Sequence, residues 1–274
     1  MVRRGLVASR SEAALAIRSG RVVVSGSPAM KAGSLVLSDE PISLRGAPRP
    51  YVSRGGEKLE SALDRFAIDA SGALALDAGA STGGFTHCLL SRGARHVIAV
   101  DVGYGQLDWR LRQDPRVTVL ERTNVRNLRA ADLPFAPEIV VADLSFISLT
   151  IVIPPLAELS APDSDFVLLV KPQFEAGRDN VGSGGVVVDP KTWRSALLAV
   201  VEASRRAGLQ PSRVMASPLR GPAGNVEFLL HATRGPGGGE ASPDVDQAIA
   251  DGLALRTGPA PVTAPRTESD GGDG

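Results

Sequence analysis

The sequence predicts an α/β fold built on a doubly wound, mostly parallel sheet, preceded by a small α+β unit. Between residues 51 and 234, short and nearly continuous apolar runs alternate with helical patterns. Such runs are typical of strands buried on both faces, and the alternation favours parallel strands with helices on both sides. A glycine-rich turn, Asp77–Phe85, follows the first apolar run, where open sheets of this kind bind ligands.

The first 45 residues are predicted to form a small unit with a basic face. A helical pattern covers Ser11–Arg18, which Ser11 can cap and Gly20 can end. Arg21–Gly26 has the pattern of a strand that runs into a turn. The unit is too small to bury a large core alone. Its candidate RNA-binding residues are Arg10, Arg18, Arg21 and Lys31. From charge alone, a solvated basic face is an equally good interpretation.

A linker is predicted to separate this unit from the sheet domain. Pro48 and Pro50 favour extended backbone from Pro41 to Pro50. We place the linker at residues 46–51, between a unit at residues 1–45 and a domain at residues 52–234.

Seven strands are predicted in that domain. They are Leu74–Asp77, His96–Asp101, Val117–Glu121, Glu138–Asp143, Phe166–Lys171, Arg213–Ser217 and Val226–His231. Helices are predicted between them, among them Phe85–Ser91 and Thr192–Ala207. The last strand follows a Pro/Gly turn, and we expect it to be antiparallel, as in a methyltransferase-type sheet rather than a dehydrogenase-type one.

The tail at residues 235–274 is predicted to be acidic and disordered. Of its 40 residues, 14 are Gly or Pro and few are large and apolar. Ala248–Leu255 has the pattern of a transient helix.

The chain has no net charge, but its charge is unevenly distributed. Residues 1–60 hold ten Lys/Arg against five Asp/Glu, and residues 235–274 hold two against seven. A basic front favours contact with nucleic acid.

Several features exclude other classes. One cysteine, Cys88, cannot form an internal disulfide, no apolar run reaches the length of a membrane span, and no signal peptide opens the chain. We therefore expect a cytoplasmic, monomeric protein that contacts no membrane.

The histidines lack ligand spacing, so no metal is predicted. Cys88, Trp109 and Trp193 are expected to pack in the interior, with base stacking as the alternative for the two tryptophans. The loop Gln173–Asp189 is interpreted as a lid over RNA, with a mobile surface loop as the alternative.

The turn Asp77–Phe85 is the candidate cofactor site, with an ordinary tight turn as the alternative. Its spacing differs from the Gly-x-Gly-x-x-Gly that holds a pyrophosphate, which favours S-adenosylmethionine, a cofactor without phosphate. We expect Asp77 to bind the methionine ammonium, Asp101 the ribose hydroxyls, and Asn124 to border the adenine. The candidate cofactor-binding residues are Asp77, Gly79, Ser81, Thr82, Gly83, Gly84, Phe85, Asp101, Asn124 and Asp143.

Two cations and two anions form the candidate reaction centre: Lys58, Asp143, Lys171 and Glu227. Asp143 and Lys171 end predicted strands, and Glu227 interrupts an apolar strand, where a buried carboxylate needs a cationic partner in Lys58 or Lys171. A ribose hydroxyl is a poor nucleophile, so a base must take its proton as a methyl group transfers. We assign Lys171 as this base and the other three as orienting groups. A lysine is a base only when neutral; burial and nearby cations favour that form, and nearby carboxylates oppose it.

The chain closely resembles the TlyA family of bacterial rRNA cytidine 2′-O-methyltransferases, also called haemolysin-like, from about residue 3 to residue 232. The matching stretches are Val52–Leu59, Leu76–Phe85, Asp101–Leu107, Glu121–Asn124, Val141–Ser148, Val170–Glu175 and Gly224–Phe228. The resemblance implies a Rossmann-like class I methyltransferase sheet of the FtsJ-like type, with S-adenosylmethionine as cofactor. It also implies that the four residues above form a catalytic tetrad, that the front is a ribosomal S-four-type RNA-binding domain, and that the product is 2′-O-methylcytidine in rRNA of the ribosomal subunits.

The chain departs from the family in two places. Family members often begin earlier, with a helix that opens the RNA-binding domain, and those that modify both ribosomal subunits have the longer front; we therefore expect a preference for the large subunit. The linker has Tyr51 before Val52, where the family has tryptophan in a segment that couples RNA binding to cofactor binding.

Two functions of other classes stay open. One is a non-catalytic ribosome-binding or assembly factor with a vestigial cofactor site. The other is a membrane-lytic protein, which a strongly amphipathic basic helix would favour and this sequence does not show.

Overall fold

The chain forms two compact units, Met1–Arg49 and Pro50–Gly274. The computed structural model describes residues 1–7, 10–18, 20–29, 31–37, 39–45, 50–177, 181–182, 184–235 and 242–257. The boundary between the units falls within the segment predicted as the linker.

The first unit combines one helix with a three-stranded antiparallel sheet. Helix α1 spans Arg10–Arg18, and the sheet has the order β2-β1-β3 with β1 at Val22–Val24, β2 at Ser27–Pro28 and β3 at Ile42–Leu44. Ser25 and Gly26 between β1 and β2 both have positive φ, 48° and 84°, as a tight hairpin turn of the primed type requires. Strand β3 lies inside the stretch predicted as extended linker, because it pairs with β1.

The second unit contains a seven-stranded sheet with the order β6-β5-β4-β7-β8-β10-β9. Its strands are β4 Leu74–Ala78, β5 His96–Val100, β6 Val117–Leu120, β7 Ile139–Ala142, β8 Asp165–Val170, β9 Leu209–Ala216 and β10 Phe228–Arg234. Neighbouring strands from β6 to β8 are parallel, and β10 is antiparallel to both β8 and β9. The predicted fold class and the antiparallel last strand are confirmed. Strand β9 begins four residues earlier than predicted because Pro211 is tolerated on an edge strand.

Seven helices are described in this unit. They are α2 Gly55–Phe66, α3 Gly84–Ser91, α4 Trp109–Arg112, α5 Leu149–Leu159, α6 Pro172–Glu175, α7 Pro190–Arg206 and α8 Val245–Thr257. Apolar side chains of α2 and α3 join the core on one face of the sheet, and those of α5, α7 and α8 join the core on the other. Along β4, Leu76 and Ala78 face the second core while Ala75 faces the first, as the alternation of side chains along a strand requires.

The prediction of a disordered tail is wrong for residues 242–257, where the transient helix predicted at Ala248–Leu255 is part of a packed helix, Val245–Thr257. Helix α8 buries Val245, Ala248 and Ile249 in the core, and Gly252 packs against Val226 and Phe228. The many Gly, Pro and acidic residues of the tail concealed this short apolar face. The remaining tail residues lie outside the described residues. Within the part of the chain that is described, no helix is both long and apolar enough to cross a membrane.

Candidate active site

One edge of the sheet gathers the predicted reaction centre. Asp143 follows β7 and Lys171 follows β8 directly, so both lie at the carboxyl edge that parallel strands share. Strand β10 runs the opposite way and pairs Phe228 with Val170. Glu227, immediately before β10, therefore reaches the same edge as Lys171. Lys58 is supplied by the first turns of α2.

Lys58 and Glu227 form a closed ion pair. The Nζ–Oε2 distance is 2.5 Å, and the side chains are only 8% and 1% exposed. The Glu227 carbonyl accepts a 2.8 Å hydrogen bond from Ser217 N. The other carboxylate oxygen of Glu227 lies so close to Gly221 that a Cβ there would be 2.4 Å from it. The carboxylate is thus fixed by a cation on one side and by backbone on the other.

Lys171 and Asp143 form a second, more open pair. Their Nζ–Oδ1 distance is 2.6 Å, and the Asp143 side chain is 25% exposed. Lys171 Nζ also donates to Ser145 Oγ at 2.9 Å and lies 5.9 Å from the ring centre of Phe174. The four predicted residues therefore meet as two lysine–carboxylate pairs, and the partner of Glu227 is Lys58.

Asp77 lies beneath the glycine turn and is fully buried. Its Oδ2 accepts hydrogen bonds from Thr86 N at 2.9 Å and Thr86 Oγ1 at 2.7 Å, which holds the start of α3. Its Oδ1 has no hydrogen-bond partner among the described residues. Burial, followed by the charges of Asp143 and Asp101, raises the pKa of Asp77 to about 7 against the lowering effect of the Thr86 bonds. Three carboxylates thus surround the turn, and they favour a cationic ligand.

The glycine turn touches both the reaction centre and α2. Gly79 has φ 88° and lies against Asp143, where a Cβ would be 2.6 Å from the carbonyl oxygen. At Gly84 a Cβ would be 2.1 Å from Ser53 Oγ and 2.9 Å from Gly56 N. Side chains at these two positions would push the turn away from Asp143 and from the helix that carries Lys58. The predicted cofactor turn and the predicted reaction centre are therefore in direct contact.

The other predicted residues of the turn hold its shape. Gly83 has φ 94° and packs against Leu107 and Leu111. The Thr82 carbonyl accepts a hydrogen bond from Asp108 N at 3.2 Å, and Phe85 is buried in the core.

Asp101 lines a small cavity beside the turn. Its Oδ2 accepts Ser81 N at 2.8 Å and its Oδ1 accepts Gly103 N at 2.6 Å. Each carboxylate oxygen retains a further lone pair that a ribose hydroxyl can use. The cavity is also lined by Gln106 and Glu121, which the sequence pattern alone did not single out. Glu121 follows β6, so the strand-end rule that found Asp101 would have found it.

Asn124 does not line that cavity. Its Oδ1 accepts Arg126 N at 3.1 Å and begins a short 3-10 turn, Val125–Asn127. Contact between Asn124 and an adenine stays a prediction.

Phe146 and Trp109 are exposed aromatic residues on segments that follow strands of the sheet. Phe146, three residues after Asp143, is 92% exposed, has φ 64° and lies 5.3 Å from the Phe174 ring. An aromatic residue in this left-handed region is strained, and such strain is concentrated at functional sites. Trp193 is buried as predicted, but Trp109 is 58% exposed, so the expectation that it packs in the interior is wrong. Cys88 is buried as expected.

The predicted RNA-binding residues of the first unit differ in their surroundings. Arg10 and Lys31 are exposed and line a groove with apolar residues such as Ile17 and Val24. Arg21 donates from Nε to the Arg45 carbonyl at 3.2 Å. The side chain of Arg18 lies outside the described residues. RNA binding by this set stays a prediction.

Known proteins are similar to this chain in sequence and in fold. Residues 51–234 match the FtsJ-like methyltransferase family. The 16S/23S rRNA (cytidine-2′-O)-methyltransferase TlyA of Mycobacterium tuberculosis is 52% identical over 231 residues, which cover 84% of this chain and 86% of that protein. The 23S rRNA (cytidine-2′-O)-methyltransferase TlyA of Campylobacter jejuni is 32% identical over 182 residues, or 66% of this chain and 70% of that protein. A solved structure of a protein described as a hemolysin from Streptococcus thermophilus has a TM-score of 0.75 and 36% identity, covering 92% of each chain.

Proposed function

The chain belongs to the FtsJ-like methyltransferase family and to its TlyA group of rRNA 2′-O-methyltransferases, and we propose that it methylates a cytidine 2′-hydroxyl of large-subunit rRNA with Lys171 as the base. Large-subunit rRNA is the substrate that the names of the M. tuberculosis and C. jejuni relatives share. Small-subunit rRNA, which only the first name includes, is a second substrate to test.

The residues around the glycine turn suit S-adenosylmethionine. When bound, this cofactor supplies an electrophilic methyl group on a positively charged sulfur. The three carboxylates Asp77, Asp101 and Asp143 offer the negative surroundings that a cationic ligand needs. Asp101 would accept the ribose hydroxyls, and Asp77, whose buried Oδ1 has no hydrogen-bond partner among the described residues, would accept the methionine ammonium. The close packing of Gly79 on Asp143 would hold the cofactor turn beside the reacting groups.

The observation that carries the assignment of the base is the difference between the two ion pairs. Lys58 is enclosed with Glu227, whose side chain is 1% exposed, whereas Lys171 is paired with the more accessible Asp143. The two lysine side chains are similarly buried, 8% and 10% exposed, so a substrate hydroxyl would reach the second pair from the side of Asp143, which is 25% exposed against 1% for Glu227. In the neutral form, Lys171 would accept the proton that the ribose hydroxyl loses as its oxygen gains the methyl group, while the methyl–sulfur bond breaks and leaves the cofactor as a neutral thioether. The ammonium that forms would then be stabilised by Asp143 and Ser145.

Phe146 supports a nucleic-acid substrate at this edge. Its exposed ring lies one residue from Ser145, which contacts Lys171. Enzymes that act on an unpaired nucleotide stack the base on aromatic side chains. We propose that Phe146 stacks on the target base or on a neighbouring unpaired base.

The test is methyl transfer from labelled cofactor to purified large and small subunits, followed by mapping of the modified nucleotide. Wild-type protein should methylate a cytidine ribose of the large subunit.

Lys171→Ala should abolish methyl transfer, because the base acts in the chemical step, while the cofactor Kd stays within about threefold of the wild-type value. Lys191→Ala, an exposed lysine at the start of α7, is the matched control and should keep full activity. Wild-type-like turnover of Lys171→Ala would exclude Lys171 as base, and cofactor binding without any transfer by the wild type would favour the non-catalytic assembly factor.

A further inference from the structure

Asn225 is a buried amide two residues before Glu227, and its side chain binds through both its oxygen and its nitrogen. The residue is 2% exposed. Its Oδ1 accepts Val187 N at 2.9 Å, its Nδ2 donates to the Gly185 carbonyl at 2.8 Å, and its own carbonyl accepts Gly221 N at 2.9 Å. A side chain with a donor and an acceptor in a fixed plane is needed to bind two groups of one segment in this way.

The backbone carbonyl of Asn225 helps to hold the loop that lies next to the Glu227 carboxylate. The bond between Gly221 and Asn225 closes the loop that lies against the Glu227 carboxylate. Ser217 N binds the Glu227 carbonyl from the base of the same loop. At the other end, the Arg54 guanidinium, at the start of α2, donates to the Arg220 carbonyl at 2.7 Å. The loop is therefore held between the helix that carries Lys58 and the strand that follows Glu227.

The side chain of Asn225 binds Gly185 and Val187, which lie in the stretch between Lys171 and α7. Val187 is buried, and its carbonyl accepts a 2.9 Å hydrogen bond from Trp193 Nε1 on α7. Trp193 is fully buried and packs against Phe228, the residue after Glu227. Asn225 thus binds a segment that is anchored on α7. Through this segment, the backbone that leads to Glu227 is fixed to the core.

We infer that Asn225 is a positioning residue that sets the orientation of Glu227, and through Glu227 that of Lys58, relative to Lys171. The inference rests on the proposed function, because it gives Glu227 and Lys58 an orienting part in methyl transfer. Asn225 acts through the backbone and the loop around Glu227 rather than by touching the reacting groups. If it served only folding, its loss would lower stability without changing the turnover of the folded enzyme.

The experiment uses the full chain and two variants. Asn225→Asp keeps the shape and the acceptor for Val187 N but removes the donor to Gly185, and Asn225→Ala removes both. Each should lower kcat by about tenfold or more and leave the cofactor Kd within about threefold. Ser204→Ala, which removes a buried hydroxyl that donates to the Val200 carbonyl within α7, is the control and should keep full kcat. Activity is normalised to the folded fraction, and Asn225→Asp serves if Asn225→Ala does not fold.

A double-mutant cycle separates positioning from general stabilisation. In a Glu227→Gln background, Asn225→Asp should lower kcat by less than about threefold, because the group that it orients has already been removed. An equal reduction in both backgrounds, or an unchanged kcat of Asn225→Asp, would overturn the inference.

Hydrogen exchange of the Val187 and Gly221 amides, which bind Asn225, gives a readout without catalysis. The Val187 amide loses its acceptor in Asn225→Ala and should exchange faster. The Gly221 amide binds the backbone carbonyl of Asn225 and should also exchange faster, because the side chain no longer holds that backbone in place. Both amides should keep their protection in Ser204→Ala. If the wild type transfers no methyl group, the proposed function fails, and this measurement still decides whether Asn225 holds the loop around Glu227. Unchanged exchange at the Gly221 amide would refute the positioning role.

Discussion

Lys58 and Glu227, 169 residues apart in the sequence, form a 2.5 Å ion pair in which both side chains are almost completely buried. Taking two charges out of water is costly, and their attraction offsets that cost only when the geometry and the surrounding bonds are good. A buried pair is therefore weak support for a purely stabilising role, and its position at the edge that carries Lys171 supports a functional one.

Breaking this pair should reduce stability and activity, whereas replacing the pair should restore only stability. Lys58→Met leaves the Glu227 carboxylate buried without its cation, which should lower the free energy of unfolding by about 3–5 kcal/mol. Lys58→Met/Glu227→Leu removes both charges and should recover most of that stability while methyl transfer stays absent. Urea unfolding and a methylation assay measure the two effects. A double variant as unstable as the single one, or one with restored activity, would contradict this interpretation.

Asp101→Ala should weaken cofactor binding more than it weakens the fold. The variant would lack the hydrogen bonds to the cofactor ribose and also the bonds to Ser81 N and Gly103 N, which shape the site. Hydrogen bonds to a charged group contribute about 1.5–3 kcal/mol each, so the Kd should rise by about tenfold or more. Asp114→Ala, which removes an ion pair with Arg116 at the protein surface, is the control. An unchanged dissociation constant by calorimetry would rule out the ribose-binding role of Asp101.

Asp77 should make stability fall as the pH rises from about 4 to 7. Its pKa is about 7 in the folded protein against an ordinary value of 3.8. In that window the unfolded chain has released the proton while the folded protein retains it, so unfolding is favoured as the pH rises, by up to about 1.4 kcal/mol per pH unit. Below about pH 4 both states are protonated, and above about pH 7 the contribution is constant. Asp77→Asn should remove this part of the pH dependence, measured as the unfolding free energy at pH 5 and pH 7.5.

The same titration should appear in cofactor binding. A cationic ligand favours the ionised carboxylate, so cofactor affinity should increase as the pH rises towards 7 and then level off. Asp77→Asn should flatten that profile. A wild-type profile as flat as that of the variant would show that the cofactor does not sense the charge of Asp77.

The sequence was sufficient for features that depend on strand order and insufficient for those that depend on packing. Asp101, Asp143 and Lys171 were predicted because each follows an apolar strand, and parallel strands bring those ends together. Which lysine neutralises Glu227 could not be derived, because the placement of Lys58 depends on the packing of Gly55 and Gly56 against Gly84. Nor does the sequence show that Asp77 turns towards Thr86 and the start of α3.

Helix α8 was predicted only as a transient helix over Ala248–Leu255, and its stable packing was missed for a different reason. Its buried residues Val245, Ala248 and Ile249 have the i, i+3, i+4 spacing of one helix face. Composition averaged over the 40-residue tail hid this local pattern. Asn225 was missed because a lone polar residue in a Gly/Pro-rich loop gives no signal until both partners of its amide are located.

The basic first unit should supply salt-dependent binding to rRNA while the sheet domain performs the chemistry. Arg10 and Lys31 are exposed, and each phosphate that they neutralise would release counterions from the RNA. In Arg10→Gln/Lys31→Gln, the slope of log affinity against log salt concentration should shrink by about 1 for each phosphate no longer neutralised. Lys191→Gln/Arg206→Gln on α7 removes the same charge from the second unit and is the control.

Deleting residues 1–45 extends the same prediction. Because Pro50–Gly274 is a compact unit of its own, the shortened protein should still fold and bind cofactor, as circular dichroism and calorimetry would show. It should not methylate ribosomal subunits, because it lacks the phosphate-binding residues that place the rRNA in register. Equal salt slopes for the two double variants would locate the RNA-binding surface elsewhere on the protein. Full methylation by the deletion variant would remove the recognition role of the first unit altogether and leave substrate placement to the sheet domain, where Phe146 and the loops around Lys171 would then have to supply it.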